Sequence, residues 1–160
     1  MEQDFLKELE LLGVTARLKR LSDALTASIK ELYRARDVDL EPSWHLVLRF
    51  LEHRTATLTE VSEALRLSQP AMTKMVERMI ARGYLDVLRD PADSRKKVLR
   101  LSRRARRLLP AFERVWAAGQ AAIGDLLGAD PEFFRHLEAF ETKLERKSFQ
   151  ARALEHLGPG

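Results

Sequence analysis

The stretch 57–101 constrains the fold more than any other part of the chain. Leu58, Val61 and Leu65 recur at helical spacing. Thr57 and Glu60 fit a capping box, in which each side chain accepts a hydrogen bond from an unpaired amide of the first helical turn. A second apolar series with the same periodicity follows: Met72, Met75, Val76, Met79 and Ile80. The stretch therefore predicts two short helices in succession.

A turn and a hairpin complete this prediction. Leu67 and Ser68 separate the two helices, and Ser68 can cap the second one. Gly83 follows the last apolar position, where a left-handed residue ends a helix and glycine has no Cβ penalty. Two short alternating strands then flank a turn-forming tip at residues 90–94. These features predict a winged helix-turn-helix, with a recognition helix at about 69–82 and a wing at about 84–101.

Positive charge is concentrated on the same region. Residues 66–107 hold 13 Lys and Arg against 4 Asp and Glu, whereas the rest of the chain holds 15 against 20. Such asymmetry is typical of a protein with a polyanionic partner. Because the charges fall on parts of one module, double-stranded DNA is favoured over a merely solvated surface. Four arginines after the wing either extend this footprint or shield acidic residues of the terminal helices: Arg103, Arg104, Arg106 and Arg107.

Two groups of side chains are candidates for DNA contacts. The outward-facing residues of the recognition helix and its turn are Ser68, Gln69, Thr73, Lys74 and Arg78. Gln and Arg are suited to bidentate contacts with base edges, and Ser, Thr and Lys to phosphates. Each of them is about as well explained as an ordinary exposed position. The candidates on the wing are Arg89, Asp93, Arg95, Lys96 and Lys97, of which the lysines suit phosphate contacts that give affinity without specificity.

Residues 58–102 resemble the DNA-binding domain of the MarR (multiple antibiotic resistance regulator) transcription factors. They read LTEVSEALRLSQPAMTKMVERMIARGYLDVLRDPADSRKKVLRLS. The resemblance rests on R-G-Y-L at 82–85 and on the wing pattern D-x-x-D-x-R at 90–95, and the flanking helices extend it over nearly the whole chain. One departure is Ala105, where the family usually has glycine. The resemblance implies that Arg95 enters a minor groove and that Asp93 orients it. The alternative is an Asp93–Arg95 pair that only stiffens the turn.

Amphipathic helices flank the winged stretch. We predict one helix over 5–36, one over 42–53, one over 102–127 with a bend at Pro110, and a last one beginning at 131. Their apolar stripes exceed what one small winged domain can cover, and a symmetric dimer would bury identical stripes. The resemblance likewise implies a dimerisation layer made by the terminal helices. The predicted fold is mainly α, an α+β winged helix-turn-helix with about six helices and a two-stranded wing. Its segments are an N-terminal dimerisation helix (1–36), the DNA-binding domain (37–101) and the C-terminal dimerisation helices (102–157).

Composition excludes several other classes. The chain has no cysteine, so disulfides and thiolate metal sites are absent. It has no signal-peptide pattern and no apolar run near the ~18 residues of a membrane span, so the expected compartment is the cytoplasm. We find no catalytic triad, HExxH or glycine-rich phosphate loop. The protein is therefore expected to be neither an enzyme nor dependent on a cofactor or metal.

The resemblance also implies a cleft for a small aromatic or amphipathic effector. Its candidate lining is Trp44, His45, Leu48, Phe112 and Trp116, for which plain core packing is the alternative. The expected function is that of a homodimeric repressor that an effector releases from a pseudo-palindromic operator. The alternative function is a winged-helix protein–protein interaction module without DNA-binding activity.

Overall fold

The structure is a computed structural model that describes residues 4–90, 92, 93, 95–128, 130 and 132–158. Within these residues it is mainly helical with one two-stranded antiparallel sheet, as predicted. Eight helices are present in this part of the chain, rather than about six. The helices are α1 (Phe5–Glu8), α2 (Val14–Ala35), α3 (Trp44–Phe50), α4 (Leu58–Leu65), α5 (Gln69–Ala81), α6 (Arg103–Leu127), α7 (Glu132–Arg146) and α8 (Phe149–Leu157), and the strands are β1 (Leu85–Arg89) and β2 (Lys97–Leu101).

The core of the winged region is centred on α3. Trp44 is 1% exposed, and the Trp44 and Tyr84 rings meet edge to face with their centroids 5.6 Å apart. Phe112 of α6 packs on the other side of Tyr84 at a centroid distance of 6.2 Å. Apolar side chains of the α3 segment and α5 are buried in the same cluster: Val47, Leu48, Leu51, Met72, Val76 and Met79. Met75 and Ile80 of the predicted apolar series are partly buried against it. Burial of each such side chain contributes about 1.5–3 kcal/mol, so this cluster fixes the relative placement of α3, α5 and the wing.

The chain divides into two compact units at a point inside α6. The first is Met1–Ala117 and the second is Ala118–Gly160. The predicted boundary at residue 102 does not coincide with this division. The physical reason is that Ala105, Leu109 and Phe112, early in α6, belong to the core of the winged region.

The prediction of a single N-terminal helix is wrong, because the chain reverses between α1 and α2. Glu10 has a φ of 46°, and a Cβ at Gly13 would collide with the carbonyl oxygen of Leu6. Asp4 caps α1 and accepts two hydrogen bonds from Arg20 of α2, at 2.8 and 3.1 Å. The Arg20 guanidinium holds the pKa of the Asp4 carboxyl below its usual value. The short α1 is thereby fastened back onto α2.

The predicted last helix is also two helices, α7 and α8. Ser148 interrupts the apolar stripe because its hydroxyl caps α8, accepting from the amide of Ala151 at 3.2 Å. Asp130 caps α7 by accepting from the amide of Glu132 at 2.9 Å, while Pro131, where the last helix is predicted to begin, lies outside the described residues. Pro110 lies inside α6, which continues on both sides of it. The helix predicted over 42–53 is shorter, at Trp44–Phe50.

Large apolar side chains are exposed on helices of both units. In the first unit, α2 exposes Leu18, Leu21 and Leu25, at 49, 60 and 39% of their surface. In the second unit the exposed residues include Leu126, Phe133, Phe134, Leu137, Phe140, Phe149 and Leu157. A soluble monomer rarely carries so many, which indicates that these stripes are interaction surfaces. None of the described helices has the length and apolar character needed to cross a membrane.

Candidate nucleic-acid interface

A capping box fixes the beginning of the helix-turn-helix. The Thr57 hydroxyl accepts from the amide of Glu60 at 3.2 Å, and the Glu60 carboxylate accepts from the amide of Thr57 at 2.6 Å. The Glu60 carboxylate also accepts from the Thr57 hydroxyl at 3.0 Å, and the bonds that it accepts from the Thr57 amide and hydroxyl lower the pKa of Glu60. The predicted capping box is therefore confirmed, and it sets where α4 begins.

The turn between α4 and α5 depends on a residue that the sequence analysis missed, Ser62. Its side chain is buried, and its hydroxyl donates to the carbonyl of Leu67 at 2.6 Å. The amide of Leu67 in turn donates to the carbonyl of Ser62 at 3.1 Å. Arg66 between them adopts the left-handed conformation, with a φ of 52°. The signal that could have identified Ser62 is a small polar residue five positions before Leu67, the first residue of the turn.

The structure places the predicted recognition-helix residues in different environments. Ser68 precedes α5 at the N-cap position, but its hydroxyl makes no capping hydrogen bond. Gln69 and Lys74 are exposed, and Thr73 is half-buried with its hydroxyl donating to the carbonyl of Gln69 at 2.9 Å. Arg78, by contrast, is ion-paired. Ser68, Gln69 and Lys74 thus present polar groups to solvent along the beginning of α5.

The wing is a short antiparallel hairpin. Its register pairs Arg89 with Lys97, which places the two cations side by side at the end of the strands. Asp93 accepts from the backbone amide of Arg95 at 3.0 Å, and the amide of Lys96 donates to the carbonyl of Asp93 at 2.9 Å. Residues 91 and 94 of the tip lie outside the described residues. Within the described residues Asp93 contacts the backbone of Arg95, and the prediction that it orients the Arg95 side chain for DNA stays a prediction.

The cations of the wing form no close ion pairs with acidic side chains of the described residues, although Lys96 lies near enough to Glu60 to help lower the pKa of that carboxyl. The side chains of Arg89, Arg95, Lys96 and Lys97 are exposed, and none of them forms an ion pair within the described residues. The nearest wing pair that is neutralised is Arg100 with Asp86, at 3.2 Å, farther from the tip. Four cations outnumber Asp90 and Asp93 at this end of the hairpin, so the net charge is positive and an anionic partner at this site would be favoured.

Acidic and basic side chains form a group of ion pairs that we call the arginine cluster: Asp39, Glu41, Arg78, Arg82 and Arg104. Glu41 pairs with Arg78 at 2.9 Å and with Arg82 at 3.8 Å. Asp39 pairs with Arg82 at 3.3 Å and with Arg104 at 3.5 Å. The guanidinium of Arg104 also donates to the carbonyl of Arg82. The cluster connects the segment before α3 to the end of α5 and the beginning of α6.

The residues predicted to line an effector pocket pack against one another. Trp44, Leu48 and Phe112 are buried in the core, and the half-buried His45 and Trp116 rings lie 6.1 Å apart. Two cavities of about 310 and 240 Å³ occur in the described part of the chain, and neither is lined by any of these five residues. The effector pocket accordingly stays a prediction. No group of three or more histidine or acidic side chains among the described residues is arranged to hold a metal ion.

Comparisons with known proteins agree with this geometry. Residues 38–96 match the model of the MarR family, which confirms the resemblance for the winged region. The structure is similar to the M. tuberculosis transcriptional regulator MOSR in complex with DNA (TM-score 0.70, 20% identity, covering 82% of this chain and 96% of that chain). It is also similar to reduced AbfR bound to DNA (0.68, 21%, 91% and 98%) and to the transcriptional repressor CouR bound to a 23-mer DNA duplex (0.65, 23%, 91% and 98%). No curated protein sequence matches the chain significantly. MarR-family proteins are transcription regulators and not enzymes.

Proposed function

We propose that this chain, whose winged region belongs to the MarR family, is a dimeric, sequence-specific DNA-binding transcription regulator. The observation that carries the proposal is the exposed wing tip, where four cations form no ion pair with any acidic side chain of the described residues. The similarity to MOSR, AbfR and CouR, each in complex with DNA, supports the same partner. The concentration of basic residues in 66–107 supplies the long-range attraction to a duplex.

In this proposal the two parts of the winged helix have separate tasks. The beginning of α5 enters a major groove, where Gln69 contacts base edges, and Ser68, Thr73 and Lys74 contact bases or phosphates. The wing lies along the adjacent minor groove, and Arg95 inserts into it from a tip that Asp93 orders. Arg89, Lys96 and Lys97 contact phosphates. Arg78 is the predicted DNA contact with a competing acidic partner.

A second copy of the chain is proposed to cover the exposed apolar stripes. The stripe on α2 and the aromatic side chains of α7 and α8 are the surfaces that a symmetric dimer would bury. Such a dimer presents two winged helices to one duplex. The operator is therefore expected to be pseudo-palindromic, with half-sites about one helical turn, roughly 34–36 Å, apart. Analytical ultracentrifugation tests this, and a monomer at micromolar concentration would contradict it.

The regulatory outcome that we propose is repression relieved by a small aromatic or amphipathic effector. An effector acts if it binds one arrangement of the two winged helices better than the arrangement that fits the operator. A thermal-shift screen with aromatic acids, phenols and cationic amphiphiles tests this, because a ligand that binds the native state raises its stability. Absence of stabilisation by every class would count against an effector site.

Replacement of Arg95 tests the central proposal. Arg95→Ala is expected to weaken binding to a duplex containing the operator by about tenfold or more, while the dimer stays intact. Lys7→Ala, which removes the same charge from α1, is the matched control and should leave the affinity nearly unchanged. Equal affinities for the two variants would remove Arg95 from the interface. If the unmodified protein binds no duplex in a salt-dependent manner, the winged helix is instead a protein-interaction module.

A further inference from the structure

We infer that Glu41 is a specificity-determining positioning residue, which holds Arg78 of the recognition helix away from DNA phosphates. This inference rests on the proposed DNA-binding function and assigns a task to the arginine cluster. Glu41 accepts a hydrogen bond from the Arg78 guanidinium at 2.9 Å, across 37 positions of sequence. Arg78 is the one candidate DNA contact on α5 that has an acidic partner within the described residues.

The segment that carries Glu41 is held firmly in place. Its neighbour Leu40 is buried, and the hydroxyl of Tyr84 donates to the carbonyl of Asp39 at 2.6 Å. The amide of Val38 donates to the carbonyl of Tyr33 at 2.9 Å, just after the end of α2. Because the backbone is anchored before and beside it, Glu41 stays beside α5, with its carboxylate within reach of Arg78.

The arginines that face Glu41 are also confined by an aromatic ring. The guanidinium carbons of Arg78 and Arg82 lie 6.0 and 5.3 Å from the centroid of the Trp44 ring, which is itself buried. A cation over an indole face gains electrostatic attraction to the ring. Arg78 therefore has two reasons to stay against the protein, the carboxylate of Glu41 and the face of Trp44.

The consequence concerns binding and not folding. The Arg78 and Glu41 side chains are 55 and 30% exposed, and ion pairs as exposed as this one contribute little to stability. An unpaired arginine at this place would attract the phosphates of any sequence. A tethered carboxylate competes with those phosphates and lowers the affinity for DNA in general, which leaves discrimination to Gln69 and Thr73 at the beginning of α5.

Neutralisation of Glu41 tests the inference. We expect Glu41→Gln to add one phosphate contact on a mixed-sequence duplex, which steepens the slope of log affinity against log salt by about 0.9. Between about 50 and 200 mM salt the variant should then lose about threefold to fourfold more affinity than the unmodified protein. Its preference for a consensus duplex, selected in vitro with the unmodified protein, should fall. Glu31→Gln, an exposed charge change on α2, is the matched control and should leave the slope unchanged.

A second variant keeps the test decisive if Glu41→Gln does not fold. Arg78→Gln should leave the salt slope on the mixed-sequence duplex unchanged, because Arg78 makes no phosphate contact in the unmodified protein. The double variant with Glu41→Gln should show the same unchanged slope, since Glu41 acts through Arg78. A slope reduced by about 0.9 in Arg78→Gln would overturn the inference, as would equal slopes for Glu41→Gln and Glu31→Gln.

These outcomes separate the inference from the function on which it rests. If the unmodified protein binds no duplex with salt dependence, the proposed function fails first. If it binds with a steep salt dependence, but Glu41→Gln has the same slope as Glu31→Gln or Arg78→Gln lowers the slope by about 0.9, DNA binding stands and only the role of Glu41 is refuted.

Discussion

Ser62 offers the sharpest test of how the helix-turn-helix is held together. Ser62→Ala removes the hydroxyl that donates to the carbonyl of Leu67 at 2.6 Å, at a side chain that is only 3% exposed. A typical hydrogen bond contributes about 0.5–1.5 kcal/mol net, and a buried acceptor left unpaired costs about 1–3 kcal/mol. Because Leu67 is only half-buried, water can satisfy part of its carbonyl. We therefore expect a loss of about 1–2 kcal/mol in the free energy of unfolding.

Urea unfolding followed by far-ultraviolet circular dichroism measures this loss. The midpoint should fall with little change in the denaturant slope, and the protein concentration must be fixed because association stabilises the native state. Ser43→Ala is the matched control, since Ser43 is exposed and makes no capping hydrogen bond at the start of α3. The control should change the free energy of unfolding by less than about 0.5 kcal/mol. Equal effects of the two variants would refute the role assigned to Ser62.

Three further variants test other parts of the chain. Hydrogen bonds to Thr57 lower the pKa of Glu60 in the folded protein. This carboxylate therefore stabilises the fold above its unfolded pKa, and the stability is lost as pH falls through its folded pKa. In urea unfolding, Glu60→Gln should lose less stability than the unmodified protein on acidification between about pH 6 and 3. Gly13→Ala should detach α1 from α2, since a Cβ there meets backbone, and hydrogen exchange should accelerate in α1 but not in α5. Three exposed arginines at the beginning of α6 can be neutralised together: Arg103, Arg106 and Arg107. The salt slope of duplex binding should fall if these arginines extend the DNA-contacting surface, and it should stay unchanged if they shield acidic residues of the terminal helices.

Features governed by neighbouring residues could be predicted from the sequence. The capping box at Thr57 and Glu60 follows a spacing rule, and Gly83 takes the left-handed conformation expected at the end of α5, with a φ of 71°. The two-stranded wing likewise forms where alternation and a turn-forming tip indicate it. Each of these depends on interactions within a few positions of the chain, so the residue pattern contains the necessary information.

The predictions that failed are those in which periodicity continues across a break. The apolar spacing of the N-terminal segment gives no sign that Glu10 has a positive φ or that Gly13 packs against backbone. The apolar spacing after residue 131 likewise predicts one helix across Ser148, although a serine before an apolar run is also a typical N-cap. Periodicity reports which face is apolar, and it does not report whether the backbone is continuous.

The candidate site could be only partly predicted, for a reason that concerns charge. Lys74 and Arg78 look equivalent in the sequence, since both are cations on the outer face of a recognition helix. The structure separates them, because Arg78 meets Glu41 and Lys74 meets no acid within the described residues. That difference depends on where the segment before α3 packs, and Tyr84 decides it by binding the backbone of Asp39. The number of cations on a recognition helix therefore overstates the charge available to DNA whenever a buried side chain brings a distant carboxylate beside one of them.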